Sequence, residues 1–406
     1  MSTLAPVILL GNDCLTGLQV ARILWRRGVP VVGIADRPDS PYCRSRALVR
    51  TEAEGGEAGF ASLIGRLREE YGAEPVVLPC TDRAAFFLAE HAPRLLRGRP
   101  RMIASTGTLD RLGDKARLPV LARESGWHVP ETRVVRDEAD LARAGDELSA
   151  PLVVKAPRTT PAWRAASGGR KVCRFDDLAS FSAQAPALLA AVGELVVQRW
   201  VDGPPESNRE LVILYDGDAK YVASVVLTKA RQWPPRIGSS SISREVADDE
   251  IVAHGRALLE SQSFVGLAQI EYERDPQGGP PILIEINPGR ATSNQPLCEA
   301  AGVPITWAWY CLATGRPFEA DMLAVEYPGA AWICWKRDLL AAFVSWRAGE
   351  MSLREWAASV RGVRWSADVQ LDDPLPLVLD LVRKGRGLLS RWRGPKDEKR
   401  SSPGPS

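Results

Sequence analysis

The chain has 406 residues, 45% of them hydrophobic and 25% charged, which excludes a mainly disordered protein and sets a prior of two to three domains. Its net charge of +2 gives no overall field of the kind a general nucleic-acid binder uses. Seven scattered cysteines without a CxxC pair argue against a disulfide framework or zinc site and fit a reducing compartment. Met1–Pro6 carries no basic n-region, and the uncharged window Ala300–Gly315 is shorter than the ~20 residues a span needs, so the expectation is a cytoplasmic protein.

In the first hundred residues, apolar runs at Pro6–Leu10, Val29–Ala35 and Val76–Leu78 alternate with helical spacing at Leu15–Arg27, at Ala61–Tyr71 and from Asp82. That order predicts a parallel α/β sheet whose carboxyl edge carries Gly11-Asn12 and Cys80-Thr81-Asp82. These residues serve either a ligand or simply turn and cap chemistry. No G-x-G-x-x-G follows the first strand, so a dehydrogenase-type dinucleotide site is not supported. A helix over Asp114–Ser125 opens the next stretch. A strand, a helix near Asp137–Gly145 and strand Leu152–Lys155 follow, then a polar, Gly-rich segment, Arg158–Gly169. Helix Asp177–Val192 leads to strand Glu194–Val201. Arg209–Tyr215 and Lys220–Ala230 read as an antiparallel pair about Asp216-Gly217-Asp218, while Ser239-Ser240-Ser241 reads as a loop. After helix Asp249–Ser261, strands Leu267–Tyr272 and Ile282–Ile286 flank the turn Asp275-Pro276-Gln277-Gly278-Gly279-Pro280. Helices Gln295–Ala301 and Ile305–Thr314 precede a Trp-rich remainder, expected to be a helical appendage. Arg383–Arg400 holds eight basic and two acidic residues, leaving −4 on the rest of the chain. It is either a solvated terminus or, with a helix over Leu377–Trp392, a weak contact for an anionic membrane or a protein.

The two strands about the Asp275–Pro280 turn carry the most chemistry. Period two puts Gln269, Glu271 and Glu273 on one face, and Glu285 with Asn287 and Leu283 on one face of the second strand. If the strands pair, Glu271 and Glu285 lie across the ladder, where like charges repel unless a cation separates them. Two carboxylates and an amide oxygen are hard ligands of the kind Mg²⁺ takes. Read from spacing alone, the same residues could equally face solvent separately, with Asn287-Pro288 as a turn.

Ile284-Glu285-Ile286-Asn287-Pro288, preceded by a Glu-bearing strand, resembles the metal-binding end of the ATP-grasp superfamily. Leu112-Gly113-Asp114-Lys115 and Leu152-Val153-Val154-Lys155 resemble its two nucleotide lysines. Gly168-Gly169-Arg170-Lys171 resembles its phosphate-covering loop, and Gln198-Arg199-Trp200-Val201 the hinge that reads adenine through backbone groups. Thr228-Lys229-Ala230-Arg231 resembles a segment of the carboxylate–amine ligases, in particular the D-aspartate ligase and polysaccharide-cluster carboligase branches. The resemblance runs from Pro6 to Pro317 in the family's order. There are two departures: Gly289 separates Pro288 from Arg290, and Arg199 stands where the hinge usually has an acid.

The resemblance implies an N-terminal Rossmann-like domain (1–107), a small (108–203) and a large (204–318) ATP-grasp lobe, and an appendage (319–406). It implies ATP and Mg²⁺ (or Mn²⁺) as cofactors, with the metal on Glu271, Glu285 and Asn287, and the nucleotide on Lys115, Lys155, Gly168, Gly169, Lys171, Gln198, Arg199, Trp200 and Val201. Arg231, Arg290 and Lys229 are its candidates to hold the acyl substrate. The implied partners are a small-molecule carboxylate and an amine, with a homodimer as an open arrangement and no nucleic acid. The implied reaction forms an amide through an acyl phosphate, in cell-surface polymer or amino-acid conjugate synthesis. The alternative is an ATP-grasp protein that binds nucleotide without ligase turnover, in regulation or assembly.

Overall fold

The computed structural model describes residues 4–392 except 97, 159, 202, 275–277 and 320–322, with backbone alone for 95, 205 and 386–392. Four short strands, all apolar but β3, build the first sheet: β1 (Val7–Leu10), β2 (Val31–Ala35), β3 (Arg50–Ala53) and β4 (Val76–Pro79). All pair in parallel in the order β3-β2-β1-β4, and all but β3 are fully buried. Near-continuous Val, Ile and Leu without alternation is what a sheet covered on both faces requires. Helices Leu15–Trp25 and Gly56–Tyr71 make crossovers, and Asp82–Leu95 follows β4. Gly11 turns the chain at φ +77°, where a Cβ would lie 2.8 Å from Thr81 Cγ2.

The helix expected over Asp114–Ser125 shortens to Leu118–Glu124, and a helix not expected from sequence, Thr106–Gly113 capped by Ser105, precedes it. Asp114 causes the break: its Oδ1 accepts from Ala116 N at 2.8 Å and Arg117 N at 3.3 Å, a local turn that competes with helix. Lys115 sits in this turn rather than at a helix start.

A second sheet holds β5 (Thr132–Val135), β6 (Leu152–Lys155), β7 (Cys173–Phe175) and β8 (Leu195–Arg199), antiparallel in the order β5-β8-β6-β7. Helices Glu138–Glu147 and Leu178–Val192, capped by Asp137 and Asp177, pack Leu141, Phe181 and Leu188 on it. The polar segment 158–169 is not all loop, since Thr160 caps a helix at Pro161–Ala166 that buries Trp163.

The third sheet has seven strands: β9 (Asn208–Tyr215), β10 (Tyr221–Trp233), β11 (Ser239–Glu245), β12 (Gly266–Glu273), β13 (Ile282–Pro288), β14 (Ala331–Ile333) and β15 (Val363–Ser366). Their order is β13-β12-β9-β10-β11-β14-β15. Ser239–Ser241, expected as a loop, opens β11, where ladder hydrogen bonds with β10 outweigh weak strand propensity. The C-terminal stretch, expected to be helical, contains helices Trp335–Arg347, Leu353–Ser359 and Leu375–Trp392 but also lends β14 and β15 to this sheet. Val212, Leu214, Val225 and Leu227 from one face of the sheet join a core with Val7, Leu9, Trp309 and Trp332, so the first and third sheets are packed as one body. Of the sequence features above, Asp275-Pro276-Gln277 in the turn and 393–400 of the basic run lie outside the described residues.

Candidate active site

The strand register settles the carboxylates. Glu271 pairs with Glu285 across β12 and β13, and Gln269 pairs with Asn287 one row on. On the other side of β12, Glu271 pairs with Glu210 of β9. Three glutamates thus form a row across three strands, all lining one cleft. A register shift after Glu271 leaves Ile284 as the extra residue, so Leu283 pairs with Tyr272 and is buried. The expected common face of Leu283 and Glu285 is therefore corrected: the bulge breaks the period of two between them.

Such a row needs cations, and the chain supplies them. Lys229 Nζ donates to Glu271 Oε2 at 2.6 Å and lies 3.3 Å from Glu210 Oε1. Lys115 Nζ stands 3.5 Å from Glu285 Oε1. Arg290 Nη2 donates to Asn287 Oδ1 at 2.5 Å, while its Nε pairs with Asp82. Burial alone would raise Glu285, yet Lys115, Lys155, Lys171 and Arg290 hold its pKa down at about 2. Burial pulls Lys229 down, but Glu271 and Glu210 more than reverse this and raise it. Glu210 itself is raised by burial. All three candidate ligand oxygens thus face cationic groups of the protein. Among the described residues no three His, Cys, Asp or Glu side chains converge as a metal cluster, so a metal here would rest on two carboxylates and an amide oxygen. That donor set fits Mg²⁺, which keeps water and phosphate oxygens as its other ligands.

Lys155, at the end of β6, is 6% exposed and donates to Gln198 Oε1 at 2.8 Å. Gln198 in turn donates to Thr132 Oγ1 at 3.0 Å, so its side chain positions the lysine. Burial is the main influence on Lys155 and lowers its pKa to about 8. Lys171 also lines the cleft and is lowered by burial.

Several expected residues are placed otherwise. Gly168 and Gly169, expected in a phosphate-covering loop, are left-handed, and their amides close the helix Pro161–Ala166, with Gly169 N donating to Arg164 O at 2.7 Å. They do not line the cleft; Lys171 and Val172 do. Arg199, Trp200 and Val201 line the cleft, but Trp200 N donates to Pro151 O at 2.8 Å, so that amide is taken. Arg231 reaches the cleft wall, yet its Nη1 is held by Asp338 at 2.6 and 2.8 Å and its Nη2 by Ser359 at 2.5 Å. Asp338 is fully buried and also accepts from Ser241 and Trp356, so Arg231 is the partner that neutralises it rather than a free anion receptor. The Gly289 insertion does not remove Arg290 from the cleft.

Sequence reading missed Glu210 and Asn294, whose Nδ2 donates to that carboxylate. A glutamate at the head of the apolar run Leu211–Tyr215, inside the expected strand Arg209–Tyr215, was the available signal for the first. The second had none.

The whole arrangement surrounds a cleft of about 1760 Å³ between the three sheets, reached from the N-terminal sheet by Cys80, Thr81 and Asp82. No protein-family model matches the chain. It is 23% identical over 276 residues to the C-terminal section of the carbamoyl phosphate synthase large chain of Methanopyrus kandleri; the match takes in 64% of this chain and 47% of that protein. The L-amino acid ligase of Bacillus licheniformis superposes with a TM-score of 0.59 at 16% identity, over 81% of this chain and 78% of the ligase. The biotin carboxylase domain of Hydrogenobacter thermophilus 2-oxoglutarate carboxylase, solved with MgADP, ADP and bicarbonate, gives 0.57 at 16%, over 79% and 73%. All three are ATP-grasp proteins. The chain has the ATP-grasp fold. In that fold the strands β12 and β13, which carry the candidate metal ligands, form one edge of the large sheet. Among the described residues no helix is long and apolar enough to cross a membrane.

Proposed function

We propose that this chain is an ATP- and Mg²⁺-dependent carboxylate–amine ligase. The observation that carries the reading is the register pairing of Glu271 with Glu285, with Asn287 one row on, in the same cleft as Lys115 and Lys155. Glu271, Glu285 and Asn287 would hold the metal. Bound there, Mg²⁺ would offset charge on the β- and γ-phosphates.

The protein's own groups then do the positioning. Lys155, fixed by Gln198, and Lys115, in the Asp114 turn, face the phosphates as point charges. A substrate carboxylate oxygen forms a bond to the γ-phosphorus as the bond to ADP breaks. The acyl phosphate so made is attacked at carbon by an amine, phosphate leaves, and the nitrogen loses a proton to give the amide. Arg290 lines the cleft with Nε on Asp82, Nη2 on Asn287 Oδ1 and Nη1 on Ala291 O, so it would exchange one of these partners for an acyl-group oxygen to hold the substrate. Lys229, between Glu210 and Glu271, keeps those carboxylates apart. Arg231 drops out of this assignment because Asp338 occupies it. The activities for which the similar proteins are named support a ligase in general and leave the acid and amine open.

The test is release of ADP and phosphate across a panel of carboxylates and amines, with product mass. Glu285→Gln is expected to lower turnover about a hundredfold or more while circular dichroism stays unchanged. Undiminished turnover in that variant would overturn the site.

A further inference from the structure

Beyond the metal and phosphate residues, the cleft continues along β10 and β11 to a wall supplied by the C-terminal segment. Three residues of β10, about 10 Å of strand, separate Lys229 from Gln232, which pairs with Ser240 of β11. This stretch is lined by Arg236 in the turn between the two strands, by Arg244 of β11 and by Arg337 of the helix Trp335–Arg347.

Arg231 beside them is neutralised by Asp338, but among the described residues these three arginines meet no carboxylate. Arg337 Nη1 donates only to Ser240 O, at 3.4 Å. Arg244 Nη2 donates to the main-chain carbonyls of Ser359 and Arg361. Arg236 is exposed and makes no hydrogen bond or ion pair with a described residue. Glu350 and Glu355 also line the cleft, yet neither comes within ion-pair distance of the three, and Glu355 accepts from Ser352 N at 2.7 Å. Ser240 is 4% exposed, and its Oγ has no hydrogen-bond partner among the described residues. A buried hydroxyl left unpaired is costly, and guanidinium forks without a carboxylate are matched by oxyanions. A cleft wall of one sign also concentrates counter-charged ligands.

We propose that this stretch holds a second oxyanionic group, carried by one of the two substrates at its far end. The proposal rests on the ligase reading above. Arg337 and Arg236 bind the group, and Ser240 Oγ donates to it. The reacting end of the same substrate lies about 10 Å away, beside Lys229 and the carboxylate row. The C-terminal segment thereby selects an acid or an amine with a charged far end over a neutral one.

Calorimetric titration of the full chain with MgADP tests this with two matched pairs. Triglycine, about 10 Å long when extended, is set against triglycinamide for the amine. Decanedioate is set against its monomethyl ester for the acid. The charged member of one pair should bind about tenfold tighter than its neutral match, and that pair identifies the substrate that carries the group. Arg337→Gln should remove the preference. Arg236→Ala, which alters an exposed side chain without partners, should reduce it about threefold. Equal binding within both pairs overturns the proposal. So does a full preference in Arg236→Ala, or in Arg337→Gln with the native circular dichroism spectrum. ADP release without any such preference would end this proposal and leave the ligase reading standing. A preference that depends on Arg337, with no ADP release from any acid and amine, would instead end the ligase reading.

Discussion

Lys155 ends a fully buried strand with Gln198 Oε1, at 2.8 Å, as the one acceptor of its ammonium among the described residues, and burial brings its pKa to about 8. A polyphosphate in the cleft would restore the charged form. Above pH 8 the free protein therefore carries a neutral Lys155, and nucleotide binding takes up a proton. Affinity for ATP should fall as pH rises past about 8, by up to about tenfold per unit from this group. Calorimetry in two buffers of different ionisation heat measures the uptake; Lys155→Arg should abolish it, because the guanidinium stays charged. The Glu271–Glu285 pair was legible because the period of two is a local signal, and the lysine because Leu152-Val153-Val154-Lys155 resembles a family motif. The role of Arg231 was not, because its partner Asp338 lies 107 residues away.

Elements decide how those residues are aimed. After β13 the chain turns at Gly289 with φ +76°, and Ala291 N then donates to Pro79 O at 3.0 Å, linking the large sheet to the end of β4. A Cβ at Gly289 would lie 2.7 Å from Leu109 Cδ2 and 2.8 Å from Ile103 Cδ1. Gly289→Ala is expected to cost about 1–3 kcal/mol of stability, read from the urea midpoint, through both strain and overpacking. An unchanged midpoint would mean that the turn relaxes freely. The bulge at Ile284 works at the same scale. It lets Tyr272 and Leu283 fill the core while Glu271 and Glu285 face the cleft, a division that strict alternation cannot make.

At the scale of the molecule, the C-terminal segment is tied to the first helix. Arg22 is fully buried and donates to Asp373 Oδ2 at 2.8 Å and Ala367 O at 3.0 Å, and Gln19 donates to Ala367 O at 2.5 Å. Asp373→Ala strands a buried guanidinium and is expected to cost about 3–5 kcal/mol, visible as a lower thermal midpoint. An unaltered midpoint would show that water reaches Arg22. Periodicity and turn residues in the sequence determined the parallel N-terminal sheet and the paired strands at 267–286, since each depends on neighbours a few residues apart, while the ordered lysines and carboxylates were legible through the family resemblance. Tertiary structure alone decided that Glu210 joins the carboxylate row, that Asp338 claims Arg231, and that β14 and β15 extend the large sheet. Those outcomes rest on pairings between distant segments, where burial forces each charge and each backbone edge to find a partner that no local pattern names.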